Sequence, residues 1–350
     1  MKNKIGLRGV LLTFIVSLIS SVAFSADYRK ILDLYHGNWG NLYYAKGILY
    51  FTETRQNLLT AVSEEKVSNF FFTYDPMQAY RPAPQEMISY GNRLFVSTTG
   101  GIMINVINTN TLKLEKEIDL SPELIGPSAL ALDGNTLYIS DTGTRKILTL
   151  NAQTLGKGTS FDAGPGPVQM VASQGKLFII SSSNITNPSG RTLRVLNAKT
   201  GTQLLNYIPS EHQERGNYSS IFRRPGGKVY VLSAYDRMLL EFDPDTLDVT
   251  RIPLLSTDPV GIIEMNGSLI VLDRGSLDAQ IPPTLEVVDL KLQINLAKIS
   301  KNEIYFPSAL VSSPDGKIYI RSLYGIDSNR AILSEITNLV PIRSDLVLLK

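Results

Sequence analysis

Pro127-Ser128-Ala129-Leu130-Ala131-Leu132, then Asp133-Gly134-Asn135, then Leu137-Tyr138-Ile139: the reading of this stretch decides the fold. Proline suits the first residue of a strand, where its missing N–H leaves no ladder bond unmade. Asp-Gly accepts the positive φ that a tight hairpin demands. The triplet that follows is continuously apolar, as a strand covered on both faces should be.

The same triplet recurs along the chain. It appears as Leu49-Tyr50-Phe51, Leu94-Phe95-Val96, Leu137-Tyr138-Ile139, Leu177-Phe178-Ile179, Val229-Tyr230-Val231, Leu269-Ile270-Val271 and Ile318-Tyr319-Ile320. Successive copies begin 45, 43, 40, 52, 40 and 49 residues apart. Proline heads the preceding run again at Pro167, Pro259 and Pro307, and tight turns recur at Gln174-Gly175, Pro225-Gly226-Gly227, Asn266-Gly267 and Asp315-Gly316. A second landmark closes the third strand in five of the seven units: Asn108, Asn151, Asn197, Asp243 and Asp289. Asx side chains at such places bond the backbone two residues on and close a hairpin. For Asp243 and Asp245 this reading is preferred to a calcium loop, which needs more carboxylates at alternate positions.

A repeat of this length built on short strands predicts an all-β, seven-bladed β-propeller of four-stranded antiparallel blades. Tyr28-Arg29-Lys30-Ile31-Leu32-Asp33-Leu34 is similar to the fourth-strand segment Leu114–Leu120. It is therefore expected to pair with Ile332–Ile336 and complete the last blade, in preference to Leu346-Val347-Leu348-Leu349. That pairing would remove two open edges at once.

Residues 1–25 read as a cleaved export signal: Lys2, Lys4 and Arg8, an apolar run from Val10 to Val22, then Ala23-Phe24-Ser25. The single domain is expected over 26–350, in the periplasm or outside the cell, with no membrane span. The whole sequence carries 34 Lys+Arg against 32 Asp+Glu, and without the three leader cations the balance is 31 to 32. Net charge thus gives no case for nucleic acid. The absence of cysteine excludes disulfides, thiolate zinc sites and iron–sulfur clusters.

Length variation points to one side. The predicted extra residues lie between second and third strands (Ser182–Gly190, Asp273–Pro283, Ser322–Asn329) or between blades (Tyr74–Pro84, Pro209–Tyr218). In an up-down-up-down blade both kinds of connection open on the same side, which is the side expected to bind.

Leu137-Tyr138-Ile139-Ser140-Asp141-Thr142-Gly143-Thr144-Arg145-Lys146-Ile147 resembles an NHL repeat, whose core is a strand, Asp-x-Gly-Asn, a basic residue and Ile. With the Asn151–Leu155 turn and the proline-led first strand, it also resembles YVTN-type repeats. The other units keep the period and are read as lacking the Asp-x-Gly element. The resemblance implies a propeller of six or seven blades and little about chemistry, because such propellers include binding proteins, scaffolds and some enzymes.

Six arginines, Arg55, Arg145, Arg191, Arg237, Arg274 and Arg330, fall in or just after the second-to-third strand connections. Guanidinium forks grip carboxylate or phosphate, although an arginine clamped to a neighbouring acid is the commoner use. Tyr235 and Tyr324 join them, with Tyr74 and Tyr80, as aromatic anchors of a mixed Tyr/Arg surface. The opposing reading gives Glu53, Asp141, Asp236 and Asp273 to calcium or magnesium, as in gluconolactonase-like propellers. His36 and His212 are too few for a histidine-rich zinc centre. No Gly-x-Ser-x-Gly elbow occurs, and the single Trp39 argues against a quinoprotein. Asn184-Ile185-Thr186 and Asn217-Tyr218-Ser219 match glycosylation sequons.

The expectation is a monomeric, non-catalytic binding or scaffold propeller without a cofactor, recognising a protein, a peptide or an envelope component on its long-loop face, or an anionic small ligand. A divalent-cation-dependent hydrolase or lyase is the alternative, and single-stranded nucleic-acid binding the third.

Overall fold

The computed structural model describes residues 27–35, 41–64, 66–72, 82–182, 191–207, 218–265, 267–276, 281–290, 294–300, 307–323 and 330–337. They form seven four-stranded antiparallel sheets, and no helix occurs among them. The innermost strands, Leu42–Ala45, Pro84–Tyr90, Pro127–Asp133, Pro167–Ser173, Tyr218–Arg223, Pro259–Met265 and Pro307–Ser312, lie side by side around a central axis. The third blade continues outward through Thr136–Asp141, Lys146–Asn151 and Lys157–Asp162, and the other complete blades follow the same order.

The seventh blade closes as the sequence predicts. Its strands run Pro307–Ser312, Ile318–Leu323 and Arg330–Thr337, and Asp27–Tyr35 supplies the outermost one. Tyr28 lies opposite Ile336 and Asp33 opposite Ile332. The competing run 346–349 lies outside the described residues.

Apolar triplets make the core. Leu137 and Ile139 are fully buried against Phe95, Ile104 and Val106 of the second blade, and comparable clusters fill the other blade interfaces. Burying one such side chain stabilises by roughly 2 kcal/mol relative to exposure. The outermost strands are edges, and Lys113–Asp119 protects its own with five exposed residues in succession.

The Asx turns recur as one structure. Asn108, Asn151, Asn197 and Asp243 each accept from the N–H groups two and three residues on, at 2.8–3.3 Å. Each turn then places a residue at positive φ: Leu112, Leu155, Gly201 and Leu247. Asp243 is therefore a turn residue.

Six innermost strands, all but Leu42–Ala45, also bulge just after their first residue. A bulge takes backbone carbonyls out of the ladder, and buried carbonyls need another donor. Hydroxyls of the neighbouring blade supply several: Thr54 to Pro84 O (2.8 Å), Thr99 to Pro127 O (3.1 Å), Ser140 to Pro167 O (3.3 Å) and Ser219 to Pro259 O. Thr52 and Ser97 extend this belt, donating to Gln85 O and Ser128 O.

The strand limits put the long connections on one side. Residues 72–83, 183–190, 208–217, 274–283 and 324–329 all join second to third strands or one blade to the next. Connections on the opposite side are short, for example 46–47, 134–135 and 152–156.

Candidate functional site

The long-connection side is built on a repeated hairpin. Its last residue before the third strand adopts the left-handed conformation: Asn57 (φ 54), Ile102 (φ 53), Arg145 (φ 61) and Arg237 (φ 51). The carbonyl of that residue accepts the N–H that follows the fourth strand, from Phe72, Leu120, Ala163 and Leu254, at 2.8–3.0 Å. The clasp demands positive φ, which asparagine tolerates and arginine does not favour.

Asp141 locks its turn to the connection before it. It accepts from Gly143 N (2.7 Å), Thr144 N (3.0 Å), Gly126 N (2.8 Å) and Ile125 N. Asp273 does the same in the sixth blade, accepting from Gly275 N (2.9 Å), Thr257 N (2.7 Å) and Asp258 N (3.1 Å). Both carboxylates are fully buried. The Asp-x-Gly element thus occurs twice, as Asp141-Thr142-Gly143 and Asp273-Arg274-Gly275. The expectation that only the third unit keeps it is corrected by this shared geometry. Glu53 is buried and accepts from Thr60 Oγ1 (3.4 Å), while Asp236 accepts from Ser233 Oγ (2.7 Å).

The six arginines do not share one position. Arg145 and Arg237 sit at the left-handed site, and Arg55 lies two residues before its counterpart, Asn57. All three are exposed. Arg274 is half-buried and pairs with Asp258 at 2.8 Å. Arg191 and Arg330 begin the third strands of their blades, opposite Ser182 and Tyr35. Tyr235 is 46% exposed beside Arg237. Tyr324, Tyr74, Tyr80, His36, Trp39, His212 and both sequon asparagines lie outside the described residues.

Apolar side chains accompany these arginines. Ile125, Leu255 and Ile281 are exposed on the same side as Tyr235. Ile125 lies against the Gly143 turn, so close that a Cβ there would meet its side chain at 2.7 Å. On the turn side several cations pair with acids. Lys317 reaches Asp315 (3.2 Å) and Glu64 (3.4 Å), and Arg224 reaches Glu264 (2.9 Å). The hydrogen bond to Asp315 holds the Lys317 ammonium above its usual range. A groove of ≈ 1060 Å³ opens there between blades one and seven, floored by Tyr44 stacked on Tyr319 with centroids 5.8 Å apart.

The axis holds a channel of ≈ 420 Å³ whose wall includes Asn41, Glu86, Gln169, Ser220 and Ser308. Glu86 accepts from Asn41 Nδ2 (2.6 Å), and burial pushes its carboxyl up to about 7. Sequence reasoning missed Glu86 and also Arg321, which sits immediately after the seventh triplet. Residues at that place elsewhere are Thr52, Ser97, Ser140, Ile180, Leu232 and Leu272. Lining up the triplets would have singled out Arg321 as the one charge.

No protein-family model matches the chain, and no curated protein matches it in sequence. Solved structures do. A streptogramin B lyase is similar with a TM-score of 0.68 at 12% identity, over 89% of this chain and 97% of that one. A catalytically inactive virginiamycin B lyase from Staphylococcus aureus with quinupristin gives 0.68 at 10%, over 90% and 99%. The Neurospora crassa Pan2 WD40 domain gives 0.63 at 9%, over 88% and 95%. At such identities the likeness is one of fold. The chain is a seven-bladed β-propeller, a class that includes both lyases and WD40 domains.

Proposed function

We propose that the protein is exported after loss of residues 1–25 and acts as a monomeric, non-catalytic binding propeller for a protein or peptide. The partner docks on the long-connection side. One observation carries this reading: exposed Ile125, Tyr235, Leu255 and Ile281 share that side with exposed Arg55, Arg145 and Arg237. Aromatic and arginine side chains amid apolar surface are the usual make-up of an energetic interface centre. Arg274, with its Asp258 partner, belongs to the frame in this reading.

The lyase alternative would need metal-binding carboxylates. Those of Asp141 and Asp273 already accept several backbone N–H groups each. In the binding reading neither calcium nor magnesium is required. Adding either is expected to leave Tm unchanged.

Arg237→Gly tests the proposal without straining the fold, because glycine accepts positive φ freely. Immobilised wild-type protein should capture a partner from a cell-envelope extract, identified by crosslinking and mass spectrometry. The variant should melt no earlier and bind that partner roughly 10- to 100-fold more weakly. Equal capture by both proteins would overturn the assignment. A fluorescent oligothymidylate serves as the nucleic-acid arm, and binding that weakens steeply with salt would favour that third reading instead.

A further inference from the structure

Arg321 occupies a place that the repeat reserves for a small hydroxyl or an aliphatic side chain. In blades one to three this residue is Thr52, Ser97 or Ser140, donating to a carbonyl of the next blade's innermost strand. In the seventh blade a guanidinium stands there, 7% exposed, at the seam with the first blade. Its Nε donates to Ser308 Oγ at 3.1 Å, and Nη1 is buried without a partner. Arg194, a second buried arginine among the described residues, is held at one end of its guanidinium, although its Nε is also without a partner. Its Nη2 is held by Pro165 O (3.0 Å) and Ser181 Oγ (2.7 Å). Among the described residues no acid compensates Arg321, and burial pushes it down to about 10. A buried cation left without a counter-charge is strongly unfavourable, and the fold keeps it in a position where six other blades do without one.

Ser308, the hydroxyl that Arg321 touches, also lines the axial channel. The channel is of small-ligand size. We propose that Arg321, with Ser308, is the anchor of a small-oxyanion site at the channel wall, taking a carboxylate or phosphate group on its unpartnered Nη1 beside the channel-lining Ser308. Planar forks of this kind match both groups. This site is distinct from the exposed arginines of the long-connection side and stands whether or not those bind a partner.

Thermal unfolding of the full chain in succinate, inorganic phosphate or sodium chloride at equal ionic strength is the test. One oxyanion is expected to raise Tm by about 2–4 °C over chloride, and which one does so names the group. Arg321→Met should abolish that shift while melting at or above the wild type in chloride, since the unpaired charge is gone. Lys199→Ala, an exposed cation elsewhere, should keep the full shift. If the Met variant does not fold, Arg321→Lys keeps the charge without the fork, and its shift should fall by half or more. No oxyanion-specific shift in the wild type, or an undiminished shift in the Arg321 variants, would overturn the site.

Discussion

Glu86 couples the channel wall to pH. Its folded-state value of about 7 stands above the ordinary 4.5, so the native state favours the protonated carboxyl. Stability from this group is complete below about 4.5 and is lost as pH rises through 7. Glu86 is only half-buried, which discounts the full shift and leaves on the order of 2 kcal/mol. Glu86→Gln is expected to remove this slope and to be the more stable protein at pH 8, as urea unfolding at pH 5 and pH 8 would show. An unchanged slope would mean that the carboxyl is solvated. At this scale the sequence was only partly legible. The charge of Arg321 stands out once triplets are compared place by place. Glu86 does not, because the bulge after Pro84 decides which residues of its strand meet the axis.

At the scale of the element, the Asp-x-Gly hairpin is a brace between two connections. Asp141→Ala leaves four backbone N–H groups without their acceptor and is expected to cost about 3 kcal/mol. The urea midpoint should fall with an unchanged m-value, and Asp273→Ala should behave alike. Loss of metal-dependent stabilisation in these variants would instead favour the cation reading. Strands and Asx turns were read correctly from Pro127, the triplets and Asn151 because these residues act locally, through missing donors, alternation and side-chain-to-backbone bonds. The second Asp-x-Gly escaped because residues 274–283 separate Asp273 from its third strand, whereas only 142–145 follow Asp141. Likewise, Arg55 and Arg145 look equivalent by spacing, but the backbone at φ 61 sets them apart.

The whole molecule is closed by Asp27–Tyr35, nine residues laid along Arg330–Thr337. Removing residues 1–35 exposes the outer edge of that strand, and exposed edges pair with other chains. Tm should fall by roughly 10 °C and light scattering should report association, with a synthetic 27–35 peptide restoring both. A truncated protein that melts like the full chain would show that the ring holds through its inner strands alone. Ring closure was legible because Tyr28–Leu34 carries the pattern of an outer strand. The channel was not, since seven separated segments build it.

The closing strand also gives the disc a bearing. Asp27 lies opposite Thr337, at the rim on the side of the short turns, and Tyr35 lies at the other end of the strand. The backbone thus enters the ring at Asp27 from that rim. If a surface ever holds the chain at that point, it faces the short turns, and the arginine-bearing side looks outward like a dish on a leash.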